Sequence, residues 1–104
     1  MHRLPELRRQ IDAIDDQLVA LLNARAALAL AIGHIKHEAG EALYQPAREA
    51  DVLAHVRHVN SGPLDDGAVT RLFERVIDEN RRLERQADAA RAIESKPSSG
   101  ERGE

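Results

Sequence analysis

Residues 4–38 read LPELRRQIDAIDDQLVALLNARAALALAIGHIKHE, and their periodicity decides the fold. Apolar side chains recur at Leu4, Leu7, Ile11, Ile14, Leu18 and Leu21, then at Leu28, Ile32 and Ile35. Steps of three and four draw one continuous seam along a helix. Pro5 falls in the first turn, where its missing N–H costs nothing, and Ala39-Gly40 supplies the stop. The helix is therefore roughly 35 residues and about 50 Å long. A compact domain of ~100 residues has a radius of gyration near 13 Å, so the seam outruns it. Two shorter helices cannot cover that length, and self-association into a homodimer is the expected solution.

Outward from this helix, Tyr44-Gln45-Pro46 forms a connection, because the residue before a proline is pushed out of the helical region. A second helix is expected from about Pro46 to Asn60, with Val52, Leu53, Val56 and Val59 on its inner face. Ser61-Gly62-Pro63 breaks the chain again. Asp65 or Asp66 can cap a third helix whose stripe is Val69, Leu72, Phe73, Val76, Ile77 and Leu83. That helix is expected to fade between Gln86 and Glu94. The fold class is thus all-α: one long helix and two shorter ones in an intertwined homodimeric bundle. A helical domain over residues 1–90 precedes a tail, 91–104, expected to be disordered.

Composition narrows the function. Tyr44 and Phe73 are the only aromatics, and the lack of cysteine removes disulfides, thiolate zinc sites and cysteine nucleophiles. A net charge of −3 from 15 basic and 18 acidic residues argues against a broad surface for nucleic acid or membrane. No signal-type h-region or run of membrane length is read in the pattern, so a soluble, cytoplasmic protein is expected. His34/His37 and His55/His58 are each spaced i, i+3, but no thiol or HExxH pattern accompanies them. Solvated histidines, with no metal or other cofactor, are the expectation.

The informative residues are polar ones where the pattern wants apolar ones. The seam demands an apolar residue at position 25 and receives Arg25. Lys36 lies eleven residues on, about 20° away on the wheel, and so shares that face. Arg8 sits at the seam's edge beside Leu7. In the second helix Glu49, with Arg48 beside it, precedes Val52 and Leu53 by one turn; in the third, the stripe continues onto Asn80 and Glu84. Each has a plain structural account: a snorkelling cation or coiled-coil register device for Arg25, the helix dipole for Glu49, and a helix leaving the core for Asn80 and Glu84. Jointly, Arg8, Arg25 and Lys36 are three cations, Glu49 and Glu84 two carboxylates and Asn80 an amide, on faces meant for burial. Unpaired buried charge is costly, so such a set either neutralises itself or receives a ligand, and the excess of cations suits an anion with more than one carboxylate.

These same residues carry a family likeness. Leu7-Arg8-Arg9-Gln10-Ile11-Asp12-Ala13-Ile14-Asp15, Leu21-Leu22-Asn23-Ala24-Arg25 and Ile32-Gly33-His34-Ile35-Lys36 resemble the first helix of the all-helical chorismate mutases. Tyr44-Gln45-Pro46-Ala47-Arg48-Glu49 resembles that family's second-helix motif. Gly62-Pro63-Leu64, Leu72-Phe73-Glu74 and Ile77-Asp78-Glu79-Asn80 resemble its third helix. The likeness spans about residues 4 to 86. It implies an intertwined three-helix dimer rearranging chorismate to prephenate, on the route to phenylalanine and tyrosine. It further implies that Arg8 crosses from the partner and, with Arg25, binds the two substrate carboxylates. Lys36 and Glu84 would hold the ether oxygen whose bond breaks. Glu49 would accept from the ring hydroxyl, with Arg48 and Asn80 completing the surroundings.

Two positions depart from the family's commonest pattern. Gln45 stands where an aspartate is frequent, removing one acceptor for the hydroxyl. Glu84 stands where bacterial members often carry glutamine, and an ionised carboxylate there would repel a developing oxyanion, so it works only when protonated. Two alternatives remain open at this point: an enzyme on a related substrate (isochorismate pyruvate lyase or aminodeoxychorismate mutase), and a catalytically silent dimerisation or regulatory module of the same fold.

Overall fold

The computed structural model describes residues 3–95. It contains three helices, α1 (Arg3–Ala39), α2 (Pro46–Val59) and α3 (Asp66–Ser95). The chain runs out along α1, returns along α2 and runs out again along α3. Pairings of Arg25 with Asn80, Gly33 with Glu84 and His37 with Asp88 climb both helices together, so α1 and α3 are parallel. Glu49 meets Arg81 while Arg57 meets Thr70, so α2 is antiparallel to α3. The third helix packs on both others, whereas α1 and α2 do not pack on each other. A cleft is left between them, with α3 as its back wall.

Local chemistry fixes the helix ends. Gly40, at φ +72°, donates to His37 O while Glu41 N donates to Lys36 O at 2.8 Å, a Schellman stop in which glycine takes the left-handed position. Pro46 opens α2. In the turn before α3, Asn60 Nδ2 donates to both Leu64 O and Asp66 Oδ1, each at 2.9 Å. Asp65 is the cap of α3: its Oδ1 accepts from Ala68 N at 2.7 Å.

The long seam is where expectation and structure part. Leu4, Leu7, Ile11, Ile14, Leu18 and Leu21 are 42–67% exposed, and Leu28, Ile32 and Ile35 are exposed too. The face of α1 that meets α3 is instead built mainly of small residues. Ala26 and Ala29 are half-buried and Gly33 is buried, with Leu30, also half-buried, as the one large apolar side chain among them. Small side chains let the helix axes approach, and a Cβ at Gly33 would lie 3.2 Å from Glu84 Cγ. The large apolar seam and the packing face within the chain are thus two different faces of α1. Among the described residues Val56 is the only buried apolar side chain. The molecule measures 78 × 31 × 16 Å with a radius of gyration of 19.6 Å, well beyond the ~13 Å of a compact chain this size.

Two apolar faces on one helix also correct the expectation that no run of membrane length exists. Between Asp16 and Lys36 the only charge is Arg25, and α1 holds an 18-residue window with a mean hydropathy of 1.7. By length and composition alone, α1 is able to span a bilayer. Other corrections are smaller. Val59 and Leu72, expected inside, are exposed. Residues 91–95, expected to start the tail, continue α3, and Arg91 reaches back to Asp88 at 3.6 Å. The rest of the expected tail, 96–104, lies outside the described residues. His37, expected on a solvated face, is half-buried with Nδ1 2.6 Å from Asp88 Oδ1, because the α3-facing stripe continues one turn past Gly33.

The Asp65 cap yields a direct test. Asp65→Ala is expected to lower unfolding stability by about 1 kcal/mol, and Asp65→Asn by a small fraction of that. Urea denaturation followed by circular dichroism measures both; equal stabilities for wild type and Asp65→Ala would remove Asp65 from this role.

Candidate functional site

The cleft between α1 and α2 encloses about 440 Å³. Along α1 it is lined by Arg25, Leu28, Ala29, Ile32 and Lys36, one face at steps of three and four. The α2 wall comprises Gln45, Arg48, Glu49 and Val52, with Leu43 from the connection before it. The back wall is Ile77, Asn80, Arg81 and Glu84 of α3, spaced at three and four. Of the residues singled out from sequence, Arg25, Lys36, Gln45, Arg48, Glu49, Asn80 and Glu84 meet here. Arg8 does not: it sits seventeen residues before Arg25 on the exposed half of α1, about 25 Å along the axis.

Arg25 is half-buried, and its Nη1 donates to Asn80 Oδ1. Asn80 and Glu84 are the buried polar side chains of α3, 8% and 9% exposed. The account in which α3 leaves the core there is therefore overturned: these two side chains are the part of α3 most fully enclosed. Burial pushes the Glu84 carboxyl above its ordinary pKa, outweighing the pull of Lys36, Arg81 and Arg25 in the opposite direction. Burial also lowers the pKa of Arg25, helped by the charge of Arg48 and opposed by Glu84. An arginine stays protonated at neutral pH regardless. Lys36 Nζ donates a long bond to Leu43 O at 3.4 Å, which ties the end of α1 to the loop that leads into α2.

Four cations (Arg25, Lys36, Arg48, Arg81) thus face two carboxylates, one of them biased toward its neutral form. Leu28, Ile32, Val52 and Ile77 add an apolar surface beside them. This is the electrostatics of a pocket for a small, multiply charged anion with a hydrophobic body. No cluster of three or more histidine, cysteine, aspartate or glutamate side chains fit to hold a metal occurs among the described residues.

Arg81 is the charged residue that sequence reading missed. It forms an ion pair with Glu49, and its guanidinium carbon lies 4.9 Å from the centre of the Tyr44 ring. A signal was available, since Arg81 follows the stripe residue Ile77 by four. The pairing with Glu49, 32 positions away in the chain, had none.

Comparison with known proteins agrees with this geometry. Residues 7–85 match the family model "Chorismate mutase type II". The bifunctional chorismate mutase/prephenate dehydratase of Neisseria gonorrhoeae is 45% identical over 78 residues, covering 75% of this chain and 21% of that protein. The chain spans only about a fifth to a quarter of the length of such bifunctional relatives. Among solved structures, a chorismate mutase from Thermus thermophilus superposes with a TM-score of 0.79 at 31% identity, covering 81% of this chain and 96% of that one. A chorismate mutase from Helicobacter pylori in complex with prephenate gives 0.74 at 29% identity, covering 90% and 97%. With the family model covering most of its length and the same three helices in the same order, this chain belongs to the chorismate mutase type II family.

Proposed function

We propose that the chain is a chorismate mutase, converting chorismate to prephenate in aromatic amino-acid biosynthesis, as a soluble cytoplasmic homodimer. The observation that carries this reading is the convergence of Arg25 and Lys36 from α1 with Asn80 and Glu84 from α3 on one cation-rich cleft. The prephenate held by the Helicobacter pylori relative supports it.

The reaction is unimolecular: an ether carbon–oxygen bond breaks as a carbon–carbon bond forms, in one cyclic shift of electrons. It calls for no nucleophile, metal or net proton transfer. The enzyme must hold a compact, reactive conformer and stabilise negative charge growing on the ether oxygen. Arg25, oriented by Asn80, would bind one substrate carboxylate. Lys36 and a protonated Glu84 would face the ether oxygen as two donors. Gln45, Arg48 and Glu49 would surround the ring hydroxyl. Gly33 has a share in this, because it lets Glu84 lie against α1.

The second carboxylate is assigned to Arg8 of the partner subunit. Support comes from the bare seam on the N-terminal half of α1, which carries Arg8 and needs a cover of its own length. The same need explains the apolarity of residues 17–35 without a membrane. One face meets α3, the other would meet the second copy, and Arg25 at the centre of the run would cost roughly 3 kcal/mol in a bilayer.

Three measurements test the reading. Purified wild type should consume chorismate, and Arg25→Ala should lower kcat/KM by ~100-fold or more; a wild type that leaves chorismate untouched refutes the proposal. The raised pKa of Glu84 has two consequences of fixed sign. Activity should fall as pH rises through that pKa, and Glu84→Gln should flatten the kcat/KM profile. Because the folded state holds this proton more tightly than the unfolded chain, stability should also decline as pH rises from the ordinary carboxyl range through the raised value. Glu84→Gln should therefore be the more stable protein at neutral pH; an unmoved profile and an unchanged melting curve would take Glu84 out of the mechanism. Finally, light scattering should find a dimer, and Leu18→Glu should yield monomers with little activity; fully active monomers would contradict the shared site.

A further inference from the structure

The ion pair between Glu49 and Arg81 puts a charge on the cleft wall whose effect depends on what the substrate ring carries. Glu49 lies between two cavities: the main cleft, and a smaller hollow bounded by Tyr44, Leu53, Glu74 and Asp78. Arg81 borders both and fills the gap between them. Its side chain is 22% exposed and that of Glu49 28% exposed, so their pairing is partly shielded from solvent. The guanidinium lies over the Tyr44 ring at 4.9 Å, a cation–π contact that holds it in place. Asp78 Oδ1 is 3.9 Å away on the outer side, but that side chain is 63% exposed and its charge is screened by water. Arg48 lines the same cleft. On the cleft side, therefore, two guanidinium groups face one carboxylate.

We propose that Arg81 is a specificity-determining residue of this site: by neutralising Glu49 it makes the subsite accept a neutral hydroxyl and reject an ammonium at the same ring position. This rests on the chorismate mutase reading and deepens it. A hydroxyl donates one hydrogen bond to the Glu49 carboxylate and brings no charge of its own. A protonated amine donates the same bond but brings a positive charge to a carboxylate that Arg81 already neutralises. Without Arg81, Glu49 would lose its ion-pair partner, and an ammonium on the substrate ring could take that place.

The test compares chorismate with its analogue in which an amine replaces the ring hydroxyl, using wild type, Arg81→Met and Arg81→Lys. Wild type should favour chorismate. Arg81→Met should raise the ratio of kcat/KM for the amine over that for chorismate by roughly tenfold or more, mainly through KM. Arg81→Lys, which keeps the charge, should stay within about threefold of wild type. Arg81→Gln serves the same purpose if Arg81→Met does not fold. Tyr44 is the chain's only tyrosine and there is no tryptophan, so its emission reports the stacked guanidinium without any substrate and should change in Arg81→Met. A ratio that stays put while wild type turns over chorismate overturns the proposal alone, as does unchanged Tyr44 emission. Wild type inactive on both compounds overturns the functional reading and this proposal with it.

Discussion

A 37-residue helix whose seam of large apolar side chains no described part of its own chain covers is the constraint on which the rest of this structure depends. Burial of large apolar side chains is the main favourable term in folding, yet here a seam of leucines and isoleucines stays in solvent. The apolar part of the contact between α1 and α3 is made by two alanines, a glycine and a single leucine, Leu30, which bury little area but bring two helices close together. A protomer with one buried apolar side chain among its described residues has little core of its own. In the proposed dimer the seam supplies the missing burial, and stability and assembly become the same quantity.

The close approach made by the small-residue stripe also builds the site. Because Gly33 lacks a Cβ, Glu84 can lie against α1 and be desolvated between Lys36 and Arg25. Burial pushes its carboxyl toward the neutral form, while the neighbouring cations pull it back. In the proposed mechanism it is the neutral form of this carboxyl that would serve as a hydrogen-bond donor. The cleft itself exists because α2 packs on α3 and not on α1. The parallel run of α1 and α3 brings Arg25 and Lys36 level with Asn80 and Glu84. The cleft is a set of held charges, which suits the proposed rearrangement, a reaction that needs positioning and electrostatics and no covalent bond to the enzyme.

Much of this was legible in the sequence. Three- and four-residue steps located the helices, Ala39-Gly40 and Gln45-Pro46 marked their limits, and Arg25 stood out as a seam violation beside Lys36 on the same face. What escaped the reading has physical reasons. A helix with two apolar faces has a strong large-residue signal and a weak small-residue one, so the stripe of Ala26, Ala29 and Gly33 was hidden by the leucine seam. The same masking sent His37 to solvent, although it lies one turn past Gly33. Asn80 and Glu84 are polar, and only the approach of α1 reveals that they are enclosed. Arg81 is followed by a second arginine, Arg82, and nothing local sets it apart, because its partners, Tyr44 and Glu49, are distant in the chain.

The central claim is that each site takes Arg25 from one protomer and Arg8 from the other. Mixing two inactive variants tests it most directly. Arg8→Ala and Arg25→Ala are unfolded together, refolded as a mixture, and assayed for chorismate loss beside each variant treated alone. If the site is shared, random pairing makes half the dimers mixed, and each mixed dimer holds one intact site, so about one quarter of wild-type activity should return. Activity that stays at the level of the separate variants, with mixed dimers demonstrably formed, would contradict the account.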